Sequence, residues 1–129
     1  VIYLDVEDLL HIAERMLPTV EVHDLGLLEA AAARPHASAY GRHAYRSIHA
    51  KAAAILHSLA RNHPLVDGNK RLALAATLAF YGLNGLLPTM TNEQAYELII
   101  AVAVAVDELD EVADIAQLLR GSTKKRIRH

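Results

Sequence analysis

The stretch HPLVDGNKR, residues 63–71, interrupts two long alanine- and leucine-rich runs and decides how they are arranged. Pro64 disfavours helical geometry at His63, so the run before it ends there, and Gly68 with Asn69 opens the run after it. The two runs are therefore helices joined by a short loop. A helix starting at Gly68 points its unpaired backbone N–H groups back at that loop. A histidine, an aspartate, a glycine, an asparagine and two adjacent cations are crowded into this one helix junction.

Away from the junction the periodicity stays helical. In LDVEDLLHIAERML, Asp5 is placed as the N-cap, with Glu7 and Asp8 in the first turn where the helix dipole favours acids. Apolar residues recur at Leu9, Ile12, Ala13 and Met16, and Pro18 ends the helix. DLGLLEAAAAR starts on a second aspartate cap, Asp24, and stops near Pro35. Helical spacing of Ile48, Ile55, Leu56 and Leu59 predicts a helix from about Tyr45 to Asn62, followed by one from about Gly68 to Tyr81 that ends at GLNG. Thr91 and Gln94 form a capping box ahead of AYELIIAVAVAV, whose near-total apolarity predicts a helix buried on most sides. The valine and alanine alternation at residues 101–106 also suits a buried strand, but no second strand of similar strength exists to pair with it. A last helix covers DEVADIAQLLR and stops at Gly121. The expected class is all-α, a compact helical fold without internal repeats.

One irregular stretch remains, RPHASAYGRHAY at residues 34–45, with a turn at Tyr40 and Gly41. It lies directly before the helix that leads into the junction, where a loop can serve the site.

Composition narrows the function. A chain of 129 residues fits one domain with one core, placed here at residues 1–120. No apolar run is long enough for a membrane span, and nothing at the start reads as a signal peptide. Zero cysteines exclude a disulfide framework and suit a cytoplasmic setting. A net charge of −2 supplies no field for direct nucleic-acid binding. The basic tail GSTKKRIRH, residues 121–129, shows no packing pattern and is read as disordered.

The junction carries chemistry. The N–H groups of Gly68, Asn69 and Lys70 can cradle a phosphate at the helix N-terminus, and glycine lets a ligand approach the backbone. Arg71 can fork two phosphate oxygens, while Lys70 adds a point charge. Asp67 is repelled by an anion unless a cation intervenes, which implies Mg²⁺ bridging carboxylate and phosphates. His63 can take a proton from a hydroxyl near neutral pH. Base, metal carboxylate and anion hole together describe transfer of a phosphorus centre to an alcohol. Other combinations are weaker. His49 and His57 can share a helix face but lack a carboxylate at ligand spacing. Arg61 reads as a helix-end cation, and the His23–Asp24 pair reads as part of a helix cap.

HPLVDGNKR closely resembles the signature of the Fic/Doc family, and the helices around it and the upstream loop fall where that fold has its core helices and its substrate-positioning flap. The resemblance spans roughly residues 3–120. Nucleotidyl-transferring Fic enzymes usually have a second glycine where this chain has Lys70, as in the Doc (death on curing) branch. Leu65 stands where phenylalanine is usual, keeping apolarity but losing volume. The resemblance implies a toxin that binds ATP and phosphorylates a threonine of elongation factor Tu, with His63 as base, Asp67 as organiser of magnesium and phosphate, and Asn69, Lys70 and Arg71 as phosphate ligands. The alternatives are an AMP transferase of the wider Fic type and a catalytically idle binding module. The inhibitory helix of self-restrained Fic enzymes is not matched. The nearest stretch, TMTNEQ at residues 89–94, has Gln94 where glycine or asparagine should follow Glu93. A brake from another chain is therefore expected, an antitoxin of the Phd type that folds a disordered segment onto the first helices and the loop from Arg34 to Tyr45.

Overall fold

The computed structural model describes residues 1–104 and 112–125. Its helices are α1 (Val6–Met16), α2 (Leu25–Ala33), α3 (Ile48–Asn62), α4 (Asn69–Leu83), α5 (Asn92–Val104) and α6 (Val112–Arg120). Two small antiparallel sheets accompany them, β1 (Ser38–Ala39) with β2 (Arg42–His43), and β3 (Leu86–Pro88) with β4 (Thr123–Lys125). The all-α expectation holds, and no described helix is long and apolar enough to cross a membrane.

The caps explain the boundaries. Asp5 and Asp8 exchange side-chain bonds with each other's backbone N–H at 2.8 and 2.9 Å, a reciprocal box that starts α1. Leu9 and Ala13 enter the core, but Met16 is exposed and Leu17, one residue past the helix, is buried in its stead. Asp24 accepts from Leu27 N–H at 3.2 Å and starts α2, which tightens into a 3-10 turn, Arg34–His36, where Pro35 intervenes. Ser47 caps α3 through Ala50 N–H, so α3 begins at Ile48 and not at Tyr45. At the far end α4 runs on to Leu83, past the expected stop at Tyr81. Asn84 then ties the helix end to the N-terminal segment by exchanging two bonds with the Ile2 backbone.

The helix surrounded on most sides is α3, not α5 as its apolarity predicts. Ala52, Ala53, Ala54 and Ala60 let neighbours approach α3 from several directions, and α2, α4, α5 and α6 all pack on it. In α5 only Ala95, Ile99 and Val102 are buried, a single stripe at helical spacing. Ala101–Val104 are helical, so the strand alternative fails there; residues 105–111, with the start of the predicted last helix, lie outside the described residues. The tail expected to be disordered from Gly121 is ordered at its start. Thr123, Lys124 and Lys125 pair with Pro88, Leu87 and Leu86, and Thr89 N–H bonds the Ser122 carbonyl at 2.6 Å. A strand this short leaves too little alternation in the sequence to be seen, and its partner β3 lies far upstream in the chain.

Candidate active site

The junction folds as a loop held from three directions. From below, Leu65 is only 2% exposed and anchors the loop in the core, worth about 1.5–3 kcal/mol for a fully buried leucine. From the side, the segment before α2 runs alongside. His23 and Asp24 N–H both donate to the Pro64 carbonyl at 2.8 and 3.0 Å, and Val66 N–H donates to the Glu21 carbonyl at 2.9 Å. Asp24 thus caps α2 with its side chain and braces the loop with its backbone. From inside, the buried Asn69 side chain accepts from Leu65 N–H at 2.8 Å and donates to the Leu65 carbonyl at 2.9 Å.

The bracing sets the backbone. His63 caps α3 in the left-handed region, φ 51°, where few non-glycine residues are found, and this turns its exposed side chain out of the helix direction. Gly68, φ 88°, caps α4. A Cβ at Gly68 would fall 2.6 Å from Leu17 Cδ1, so glycine is required here by the packing of Leu17 and by the backbone, rather than by ligand approach alone.

His63, Asp67, Gly68, Asn69, Lys70 and Arg71 come together around one open cavity of about 300 Å³, completed by Val66 and Tyr96. Within it the groups divide their tasks differently from the expected set. The Asn69 amide is committed to Leu65, which leaves its backbone N–H as the group able to meet a phosphate. Gly68 N–H donates to Asp67 Oδ1 at 2.8 Å, so that carboxylate sits over the N-terminus of α4. The remaining N–H groups of the first turn, at Asn69, Lys70 and Arg71, have no intrahelical partner, since the first helical bond runs from Leu72 N–H to the Gly68 carbonyl, and the exposed Lys70 and Arg71 side chains add positive charge beside them. The arrangement can hold an anion at the helix start with a carboxylate, a base and two cations around it.

Tyr96, 64% exposed on α5, is the residue the sequence reading missed. It stands one position off the Ala95–Ile99–Val102 stripe, which is the signal that its ring faces away from the core. The two histidines weighed as metal ligands face different partners. His49 Nδ1 lies 2.9 Å from Tyr81 Oη, and His57 Nδ1 lies 2.9 Å from Arg34 Nη1. Among the described residues no group of three or more His, Cys, Asp or Glu side chains is placed to hold a metal ion.

This helix–loop–helix junction, with exposed His63 at the end of one helix and Gly68 at the start of the next, lies inside the stretch that sequence comparison matches. A model of the Fic/DOC family matches residues 3–81, and the chain belongs to that family. It is 46% identical over 114 residues to Toxin Doc of Mycolicibacterium smegmatis, with 86% of this chain and 88% of that protein covered, which places it with the Doc branch.

Proposed function

We propose that this protein is the toxin of a toxin–antitoxin pair and a protein kinase, transferring the γ-phosphate of ATP to a threonine hydroxyl of elongation factor Tu and so blocking translation. The observation that carries the reading is Lys70. It is exposed on the first turn of α4 and lines the same cavity as His63, Asp67 and Arg71. Its side chain and charge occupy the place where AMP-transferring relatives have a glycine, and so disfavour the ordinary nucleotide pose.

In this reading the threonine Oγ attacks the γ-phosphorus, the bond from that phosphorus to the β,γ-bridging oxygen breaks, and ADP leaves with the electron pair. His63 takes the hydroxyl proton as the new P–O bond forms. Arg71 holds the phosphate oxygens in its fork, Lys70 adds charge, and the Asn69 and Lys70 N–H groups bind oxygens at the helix start. Tyr96 and Val66 offer an apolar rim against which the base or ribose can lie.

The residues fit Mg²⁺. Asp67 is exposed, has one oxygen on Gly68 N–H and has its second available, and magnesium needs only one or two carboxylates when substrate phosphates complete its shell. When bound, the ion neutralises charge on the transferring phosphate.

The antitoxin reading is supported by a cleft of about 280 Å³ between the segment that leads into α1 and the end of α2, lined by Tyr3, Leu4, Val6 and Ala33 and edged by Asp5 and Glu29. It suits an amphipathic helix carrying cations on its rim. The test of the activity is label transfer to elongation factor Tu from γ-labelled, but not α-labelled, ATP.

A further inference from the structure

The hairpin β1–β2 stands out from the protein: every residue from Ala37 to Ala44 is exposed. Its turn places Tyr40 and Gly41 both at positive φ, 54° and 74°, as tight hairpin turns require. A lone two-stranded hairpin is marginal in water, so something at its root must hold its direction.

That root is built around Arg34. Its Nε donates to Tyr45 Oη at 2.8 Å, closing the excursion from one side of the hairpin to the other. Its Nη1 reaches Ser58 Oγ at 3.0 Å and His57 Nδ1 at 2.9 Å. A guanidinium has no acceptor, so His57 accepts at Nδ1. Next to it, Lys51, only 3% exposed, donates from Nζ to the Pro35 carbonyl at 3.0 Å. Lys51, His57 and Ser58 all belong to α3, the helix whose end carries His63. One rigid helix therefore holds both the hairpin root and the candidate base, which are separated by about 9 Å along its axis from residue 57 to 63.

We propose that Arg34 is a positioning residue for the protein substrate: it latches to α3 the hairpin that stands where the resembled fold has its substrate-positioning flap, and so fixes that hairpin relative to His63 on the same helix. This rests on the kinase reading for the identity of the substrate. Arg34 touches neither nucleotide nor hydroxyl in this account, so its loss acts on the protein substrate alone.

The experiment compares wild type with Arg34→Ala, Arg34→Lys and Tyr45→Phe, the last removing one hydroxyl and nothing else. Amide exchange is read at Ala37 and Ala44, whose N–H groups bond the Arg34 and Ala37 carbonyls. KM values for ATP and for elongation factor Tu are read alongside. The expected result is faster exchange at both amides and a KM for the protein raised at least about tenfold in Arg34→Ala. Lysine should restore part of it, and the KM for ATP and exchange within α4 should stay as in wild type. Unchanged exchange in Arg34→Ala and Tyr45→Phe overturns the latch, as does faster exchange with an unchanged KM for the protein. Wild type that transfers no label overturns the kinase reading, and the amide exchange then decides the latch by itself.

Discussion

The side-chain amide of Asn69 brackets Leu65, accepting from its N–H at 2.8 Å and donating to its carbonyl at 2.9 Å, so one buried residue at the start of α4 sets the backbone of the loop that carries Asp67. Both groups of Leu65 would be buried and unpaired without it. Asn69→Ala should therefore lower the unfolding free energy by about 1–3 kcal/mol, seen as a lower urea midpoint, and should reduce phosphotransfer as well. Asn69→Asp should be at least as harmful, since a carboxylate cannot donate to the Leu65 carbonyl. Normal urea midpoints for both variants would refute the bracing role.

His63 is exposed and contributes little packing. Its replacement by alanine should slow transfer by roughly 10²- to 10⁴-fold while leaving the melting transition within about 0.5 kcal/mol of wild type. Cells expressing the wild-type protein alone should stop growing, and cells expressing His63→Ala should not. A variant that melts early, or one that retains its rate, would mean that the histidine serves structure.

Gly68→Ala puts a methyl where Leu17 packs and forces a side chain into positive φ. It should destabilise by about 2 kcal/mol or more from the combined strain and crowding. Leu17→Ala alone leaves a cavity, at about 2–5 kcal/mol. Because each change relieves the other, the double variant should be more stable than the sum of the two by about 0.5–3 kcal/mol. Strict additivity would show that the contact is not what demands glycine.

Much of this arrangement was legible before the structure. Caps at Asp5, Asp24 and Thr91 announce themselves because a side chain bonds a backbone group three residues away, and such local chemistry is written in adjacent letters. The junction was legible for the same reason, with proline, glycine and charges in one short string. What stayed hidden depends on partners distant in sequence. Nothing near Val22 predicts its bridge to Leu65, and nothing near Thr123 predicts its pairing with Pro88. The helix start and the family resemblance place Asn69 among the phosphate ligands, while the burial of its side chain beneath the loop is a tertiary fact.

His49 supplies a pH test. Burial first, and the nearby Arg120 charge second, hold its pKa below the ordinary 6.5. The imidazole packs beside Tyr81, whose hydroxyl burial pushes toward the protonated form despite Arg120. The unfolded chain then takes up the proton first as pH falls, so the stability His49 contributes is complete above about 6.5 and is lost as pH drops through its lowered folded value. Urea midpoints of wild type minus those of His49→Gln, measured from pH 7.5 downward, should fall in that window. A difference that is flat with pH, or that rises as pH falls, would contradict the assignment.

The central claim is that the His63–Arg71 junction moves a phosphoryl group and not a nucleotidyl group, and parallel incubations with γ- and α-labelled ATP test it most directly. With Mg²⁺ and purified elongation factor Tu, label should reach the factor's threonine from the γ position only, and His63→Ala should abolish it. Label arriving from the α position would instead make the protein an AMP transferase and contradict the account.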